Sequence, residues 1–292
     1  MEKQWAGTTY GNNWMHRWLI RMLRYVDVRV FYVFTALFVI PVCLILNPSR
    51  KIIFHYMRKH MRFGCLRSAW YTYLNHCLFA QVVIDKFAMY AGKRFEVKVV
   101  GYDAYLRLLE KPDAFVQLSS HIGNYEIAGY SLKADKKAFN ALVYWGEKES
   151  VMKNRMFLFK DTHIRMIPVS PDMSHLFDIN AALSKGEVVS IPADRIWGSP
   201  KKLVKYFLGG EASFPYGPFS IAAMRSLDVV AVNVMKTAAK QYTIYITPLL
   251  YNKEANGKAR IEELSDAYVK ELEKMLGLYP TQWYNYFDFW HE

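Results

Sequence analysis

Two residues that can transfer protons, His121 and Glu126, lie five positions apart in the segment SSHIGNYE. An apolar run at 114–118, which predicts a buried strand, precedes them directly. An imidazole titrates near neutral pH, so it can take a proton from a hydroxyl and later return it. A carboxylate bonded to the far ring nitrogen would hold the tautomer and stabilise the imidazolium. We therefore predict that His121 is a general base oriented by Glu126; the alternative is a satisfied loop histidine beside a glutamate favoured at a helix start.

Strand and helix patterns alternate from residue 95 onward and must position this pair. The predicted strands lie at 97–100, 114–118, 141–145, 165–169, 188–192, 229–235 and 242–248. The predicted helices lie at 103–110, from the His121 turn to about 133, and at 151–159, 173–184, 217–226 and 261–276. This alternation predicts an α/β fold with a mostly parallel central sheet flanked by helices. Reactive groups in such sheets collect beyond the carboxyl ends of strands, where both His121 and Asp194 fall.

Three further groups could complete a site beside His121. Asp194 and Arg195 follow the strand at 188–192, where they could orient a base, contact substrate or form a surface ion pair. Residues 207–210 and 214–218, which include Gly217, lie before or at the start of a predicted helix. The first amides of that helix could hold a phosphate or carboxylate, although a plain turn is the more ordinary explanation. Arg155 and Arg165 lie in or beside a segment between two strands. Either arginine could hold phosphates or polarise a thioester, and a solvated helix face is the ordinary alternative.

The first hundred residues predict attachment to a membrane. Residues 30–46 form an apolar run of 17 residues, interrupted only by Thr35 and Pro41. As a helix this run would be about 25 Å long, which is short of the roughly 30 Å hydrocarbon core. A single span, a shallow hairpin bent at Pro41 and a buried helix in a soluble core are the alternatives. We expect residues 1–94 to form a helical membrane-associated region, with an α/β catalytic domain at 95–292.

The charge of the chain favours an anionic partner and weakly indicates on which side of the membrane the C-terminal domain lies. The chain has 38 Lys and Arg against 26 Asp and Glu, a net charge of +12, and 16% aromatic residues. Basic residues flank the apolar run on both sides, four before it and six after it: Arg17, Arg21, Arg24 and Arg29, then Arg50, Lys51, Arg58, Lys59, Arg62 and Arg67. This small excess favours a cytoplasmic location for the C-terminal domain. Without a recognisable nucleic-acid-binding signature, an anionic lipid surface is the better prediction, and we predict no nucleic-acid partner.

The sequence lacks the motifs that characterise several classes of enzyme. The sequence contains no G-x-S-x-G elbow, no H-E-x-x-H pair, no P-loop and no strand-linked G-x-G-x-x-G. We therefore predict neither a metal nor a cofactor. A serine nucleophile at Ser119 or Ser120 would define a thioesterase or lipid hydrolase, but a serine directly adjacent to its base has awkward geometry.

Three motifs occur in the order found in a known family. They are the H-x4-(D/E) box at 121–126, an L-x-x-G-E…P-D block ending at Asp194, and an F-F-G-x-x-A…P-x-G block at 207–217. With them, over about residues 5 to 290, the chain resembles the lipid A biosynthesis (late) acyltransferases, a branch of the lysophospholipid acyltransferase superfamily. The chain departs from the family at Arg195, where glutamine or histidine is usual, and at Leu208, where a second phenylalanine is usual.

The resemblance implies an acyltransferase at the cytoplasmic face of the cell inner membrane. Such an enzyme moves a fatty acyl chain from an acyl-carrier-protein or coenzyme A thioester to a hydroxyl of a lipid A precursor or related glycolipid. His121 would deprotonate the acceptor directly, without a covalent enzyme intermediate. It further implies that Asn124, Asp194, Arg195 and Gly217 contact substrate, with Arg155 as the family's functional arginine. A different lipid or polyene acceptor, a hydrolase and a non-catalytic membrane scaffold are the alternatives.

Overall fold

The computed structural model describes residues 12–132, 136–144, 153–154, 156, 164–169, 172–196 and 201–290. The strands are β1 (Glu96–Val100), β2 (Phe115–Gly123), β3 (Phe139–Tyr144), β4 (Ile164–Val169), β5 (Val188–Pro192), β6 (Lys202–Phe207), β7 (Gly210–Pro215), β8 (Asp228–Ala238) and β9 (Gln241–Pro248). Seven of them form one central sheet in the order β1-β9-β8-β2-β5-β3-β4, and β6 pairs with β7 outside it. In the central sheet β8 and β9 run antiparallel, and the other neighbours are parallel. The predicted α/β class is confirmed.

Helices cover both faces of the sheet. They are α1 (Asn13–Tyr25), α2 (Val28–Phe34), α3 (Ile40–Leu46), α4 (Ser49–His55), α5 (Cys65–Tyr90), α6 (Tyr102–Glu110), α7 (Glu126–Ser131), α8 (His175–Ser184), α9 (Tyr216–Ala223) and α10 (Gly257–Leu278). The central strand β2 contributes Val116 and Leu118 to one apolar cluster and Phe115 to another. Burial on both faces explains the continuous apolar runs of the central strands. The predicted helix at 151–159 lies largely outside the described residues.

Strand β2 extends five residues beyond its predicted end at 118. The prediction stopped there because the polar run from Ser119 to His121 breaks the apolar pattern. The Ser120 hydroxyl instead donates to Asn233 Oδ1 of β8 at 2.9 Å, so a polar pair replaces an apolar contact inside the sheet. The β2–β8 register shifts between Ser119 and Gly123, an irregularity common beside active sites. His121 therefore lies in the irregular last part of a strand rather than in a loop after it.

The hairpin β6–β7 occupies residues 202–215, a range in which no strand was predicted. Its antiparallel pairing runs from Lys202↔Pro215 to Phe207↔Gly210. Leu208 and Gly209 connect the strands with φ of 47° and 84°, the backbone that a tight two-residue hairpin turn requires. Inward Phe207 is fully buried and stacks on Trp290, with ring centroids 6.0 Å apart. The hairpin thus docks the aromatic C-terminal segment onto the core.

The predicted apolar segment forms a helical stretch, Val28–Leu46, with a π-helical turn at Thr35–Val39 joining α2 to α3. Within the described residues it is the one helix long and apolar enough to cross a membrane, by length and composition. One face packs on α5, where the Tyr73 hydroxyl donates to the Ala36 carbonyl at 3.1 Å. The opposite face exposes Val30, Val33 and Leu37. Such a face suits contact with lipid, while a span, an interfacial hairpin and the domain boundary near residue 94 stay predictions.

Candidate active site

His121 and Asp194 form a hydrogen-bonded pair at the carboxyl edge of two parallel strands. Ser119 of β2 pairs with Pro192 of β5, so the same register places Asp194 beside His121 two residues later. Asp194 Oδ1 lies 2.8 Å from His121 Nδ1, and Asp194 Oδ2 accepts the His121 backbone N–H at 2.8 Å. The carboxylate is 1% exposed, whereas the His121 side chain is 25% exposed. One side of the imidazole is therefore held by a buried acceptor and the ring remains reachable.

The structure gives Asp194 the position on the ring that we predicted for Glu126. Glu126 is the first residue of α7, and its Oε1 lies 3.2 Å from Lys86 Nζ of α5. Its carboxylate thus forms an ion pair with the neighbouring helix, because the helix start turns this side chain toward α5. Asp194, which was predicted mainly to contact substrate, therefore has the geometry that could orient the ring. A catalytic role for Glu126 stays a prediction.

Burial and neighbouring charges favour a neutral imidazole beside an ionised carboxylate. Burial, together with the Arg195 charge, lowers the pKa of His121 below its usual value, although Asp194 opposes the change. Burial alone would raise the pKa of Asp194, but His121 and Arg195 outweigh it and lower that pKa overall. With an ionised acceptor at Nδ1, the single ring proton belongs on Nδ1. The lone pair of Nε2 is then available to accept a proton from a substrate.

The other predicted binding residues have different surroundings. The Arg195 guanidinium donates to the Tyr284 carbonyl at 2.6 Å, which holds it beside the His121–Asp194 pair. Asn124 is buried and its Nδ2 donates to the Tyr242 hydroxyl at 3.3 Å, while its contact with substrate stays a prediction. Gly217 lies in the first turn of α9, where its binding role stays a prediction.

The two candidate arginines between the strands differ in what the structure describes of them. Arg155 lies outside the described residues. Arg165 lies on β4, at the edge of the central sheet, and is exposed. The described part of the chain contains no group of three or more His, Cys, Asp or Glu that could hold a metal ion.

The family of the chain follows from a comparison with protein families. The family described as Bacterial lipid A biosynthesis acyltransferase matches residues 83–290, which is more than half of the sequence. The chain belongs to this family. It is an acyltransferase. The match includes His121, Glu126 and Asp194.

A solved structure and the curated sequences complete the comparison of this family member with known proteins. The chain is similar to the 1-acyl-sn-glycerophosphate (LPA) acyltransferase, PlsC, from Thermotoga maritima, with 14% identity and a TM-score of 0.38. That similarity covers 90% of this chain and 95% of the other. No curated protein sequence matches the chain.

The lowered pKa of His121 predicts the pH dependence of this acyltransferase. A base must be unprotonated in the free enzyme, so kcat/KM should fall as the pH drops through the pKa of His121. Because that pKa lies below the usual histidine value of 6.5, kcat/KM should be flat at pH 7 and decline only in more acidic buffer. Initial rates in buffers of constant ionic strength measure the profile. An inflection above pH 7 would contradict this assignment.

Gly123 allows the chain to turn from β2 into α7. Its φ is 63°, and a Cβ added there would lie 1.9 Å from the Val234 carbonyl oxygen of β8. Both the left-handed backbone and the close approach of a neighbouring strand therefore require glycine. The next residue, Asn124, donates its backbone N–H to the same Val234 carbonyl at 2.8 Å.

We expect Gly123→Ala to destabilise the fold by at least about 2 kcal/mol, because strain at φ and a backbone clash act together. Gly92→Ala is the matched control, since Gly92 also has a positive φ of 88° but open space around the added Cβ. The free energies of unfolding of the two variants, measured by urea denaturation, separate the strain at φ from the clash with Val234. Equal losses of stability would show that the approach of Val234 does not matter.

Two residues of the site were not predicted from the sequence: Lys86, which pairs with Glu126, and Tyr284, whose carbonyl holds Arg195. A signal for Lys86 was present, because Asp85 and Lys86 are adjacent charges inside an otherwise apolar helical pattern. Charges buried in such a helix need partners, which Glu126 of α7 provides for Lys86 and Lys236 of β8 provides for Asp85. The Tyr284 contact involves a backbone carbonyl and had no local signal.

Proposed function

We propose that this acyltransferase moves a fatty acyl chain from an acyl-carrier-protein or coenzyme A thioester to a hydroxyl of a lipid A precursor or related glycolipid. His121 serves as the general base, and the reaction takes place at the cytoplasmic face of the cell inner membrane. The observation that carries the proposal is the His121–Asp194 pair, with Nδ1 bonded to a buried carboxylate and the ring partly exposed. The family supports acyl transfer to a lipid acceptor.

The proposed step forms one ester bond and breaks one thioester bond. Nε2 of His121 accepts the proton of the acceptor hydroxyl while the hydroxyl oxygen attacks the thioester carbonyl carbon. Asp194 stabilises the imidazolium that forms, because its carboxylate already accepts the Nδ1 proton. The tetrahedral intermediate then expels the thiolate, which takes the proton from the imidazolium. The products are an acylated lipid and a free carrier thiol.

Among the described residues, Arg195 is the cationic group that we place against the negative oxygen of the intermediate. The hydrogen bond to the Tyr284 carbonyl holds its guanidinium, and its charge already acts on both His121 and Asp194. The backbone amide of Asn124, an alternative donor near Gly123, is used by the Val234 carbonyl. A donor aimed at an oxyanion contributes roughly 3–4 kcal/mol in well-studied enzymes.

Charge and exposed apolar surface support an anionic lipid acceptor and a membrane location. The net charge of +12 favours phosphate-bearing lipids and an acidic carrier. The exposed apolar face of Val28–Leu46 would contact lipid tails or the bilayer interface.

The test uses the full chain in lipid vesicles with radiolabelled acyl-carrier-protein or acyl-coenzyme A donors. Acceptors are a lipid A precursor, lysophosphatidic acid and a neutral glycolipid, and mass spectrometry identifies the products. We expect a lipid A precursor that is heavier by one acyl chain, with a new bond that mild alkali cleaves as an ester. An alkali-resistant amide or transfer to lysophosphatidic acid alone would contradict the proposed acceptor. Release of free fatty acid alone would contradict acyl transfer to a lipid.

The hydrolase alternative predicts a serine nucleophile next to His121. Ser120 is 2% exposed and its hydroxyl is engaged with Asn233, whereas Ser119 is 7% exposed. We therefore expect Ser120→Ala to lower kcat less than about fivefold, because the variant loses only the hydrogen bond to Asn233. Labelling of the wild-type chain by a fluorophosphonate at either serine would instead support the hydrolase.

A further inference from the structure

A buried ion pair lies behind the active-site turn. Asp85 of α5 and Lys236 of β8 are 0% and 2% exposed, and Lys236 Nζ lies 2.5 Å from Asp85 Oδ2. Pairs of this kind contribute little net stability, because removing two charges from water offsets their attraction. An apolar pair of similar volume would fill the same space. The chain nevertheless places two charges there, inside a region of apolar contacts.

Two tyrosines and a backbone carbonyl complete the hydrogen bonds of the pair. The hydroxyls of Tyr32 and Tyr242 both donate to the Asp85 carboxylate. Lys236 Nζ donates to the Tyr32 hydroxyl at 3.1 Å and to the Ala239 carbonyl at 3.1 Å. Tyr32 belongs to the exposed apolar helix, so this cluster joins that helix to the sheet.

The cluster continues into the turn of the H-x4-E motif. The Tyr242 hydroxyl accepts a hydrogen bond from Asn124 Nδ2 at 3.3 Å. The Asn124 carbonyl in turn accepts the Ile127 N–H at 3.1 Å, which begins α7. The next residue along α5, Lys86, contacts Glu126 at 3.2 Å. Adjacent residues of α5 thus hold both ends of the turn 124–126.

The turn 124–126 places the Tyr125 ring against the imidazole of His121. Tyr125 is between the two held residues, and its ring packs edge-on against His121 with centroids 5.7 Å apart. A shift of Asn124 would move the Tyr125 ring along with it. The direction of the imidazole, and the access of a hydroxyl to Nε2, would then change while the substrate surface elsewhere stayed in place.

We propose that Asp85 and Tyr242 are positioning residues, which hold Asn124 and Tyr125 so that His121 is correctly directed for proton transfer. The proposal rests on the proposed function, because it gives His121 the role of the base. Neither residue touches the reacting atoms. Their loss should therefore lower kcat and leave KM nearly unchanged, since misplacing a catalytic group affects the transition state more than substrate binding.

Tyr242→Phe tests the proposal by removing a single hydroxyl. We expect at least a tenfold decrease in kcat with KM within twofold of the wild type. Tyr245→Phe is the matched control: Tyr245 lies on the same strand β9, and its hydroxyl bonds Tyr279 at 2.6 Å instead of the active-site turn. It should lose comparable stability and keep wild-type kcat. A wild-type kcat in Tyr242→Phe, or an equal decrease in both variants, would overturn the proposal.

A second variant separates positioning from simple stabilisation. Asp85→Asn alone would leave Lys236 buried without a counter-charge, which threatens folding. The double variant Asp85→Leu/Lys236→Met removes both charges and leaves Tyr242 without its acceptor. We expect it to fold with at least a tenfold lower kcat; a folded double variant with wild-type kcat would overturn the proposal. If the double variant does not fold, the kcat of Tyr242→Phe alone tests the positioning role.

The same assay keeps this inference separate from the proposed function. Full activity in His121→Ala would reject the base mechanism itself. An inactive His121→Ala combined with a fully active Tyr242→Phe would reject the positioning role alone.

Discussion

His121→Ala should lower kcat for acyl transfer by about 10²–10⁴-fold, the range that general base catalysis contributes. The variant removes the one ring whose Nδ1 is held by Asp194 and replaces it with a methyl group that cannot accept a proton. A quarter-exposed side chain supports little of the core, so the fold should persist. Transfer from a radiolabelled thioester, together with sedimentation of the variant with vesicles, measures both properties.

The exposed histidine His55 provides a control for this experiment. It lies on α4 in the N-terminal region, away in sequence from the site, and His55→Ala should retain activity within twofold. Both variants should bind vesicles like the wild type. Normal transfer by His121→Ala would reject the base mechanism, whereas a loss of vesicle binding would show that the residue acts through membrane attachment.

Asp194→Asn is expected to have an effect of similar size although it changes a single atom. Asp194 accepts two hydrogen bonds, from the His121 ring and from the His121 backbone N–H. An asparagine can keep both contacts only if its amide oxygen accepts from the backbone and its NH₂ donates to Nδ1. The ring proton then moves to Nε2, which no longer has a lone pair for the acceptor hydroxyl. The corresponding change in serine proteases lowers kcat by about 10⁴-fold.

The kinetics of Asp194→Asn should differ from those of a misfolded protein. KM should be nearly unchanged, and raising the pH should not restore kcat, because the wrong tautomer is already neutral. Asp228→Asn is the control, since Asp228 forms ion pairs with Lys111 and Lys253 at the surface, each at 2.5 Å. It should keep kcat within twofold. A wild-type rate in Asp194→Asn would transfer the orienting role back to Glu126.

The α/β class could be predicted because its evidence is local. The central strands are buried on both faces and form short apolar runs, such as Val188–Pro192, whose predicted and observed bounds coincide. Polar residues inside a strand interrupt the apolar run from which a buried strand is predicted. Ser119 and Ser120 ended the predicted β2 too early, because their burial depends on partners such as Asn233 on another strand. The hairpin β6–β7 was not predicted, although β6 alternates exposed and buried residues in the usual strand pattern.

The candidate site was partly predictable for the same reason. Residue type and position after strands were enough to select His121, Asp194 and Arg195, and the structure brings these three together. The buried cluster around Lys236 was not predicted, because it combines residues from α2, α5, β8 and β9. No spacing along the chain indicates which of those side chains meet.

The sequence by itself determined the alternating fold, the apolar N-terminal segment, the family motifs and a histidine suited to proton transfer. The tertiary structure alone decided which carboxylate meets that histidine. Glu126 is five residues away along the chain, but the start of α7 turns it toward Lys86. Asp194 is 73 residues away, yet the parallel register of β2 and β5 places it against the ring. The strand register follows from the packing of the whole sheet, so it cannot be predicted from the spacing of residues along the chain.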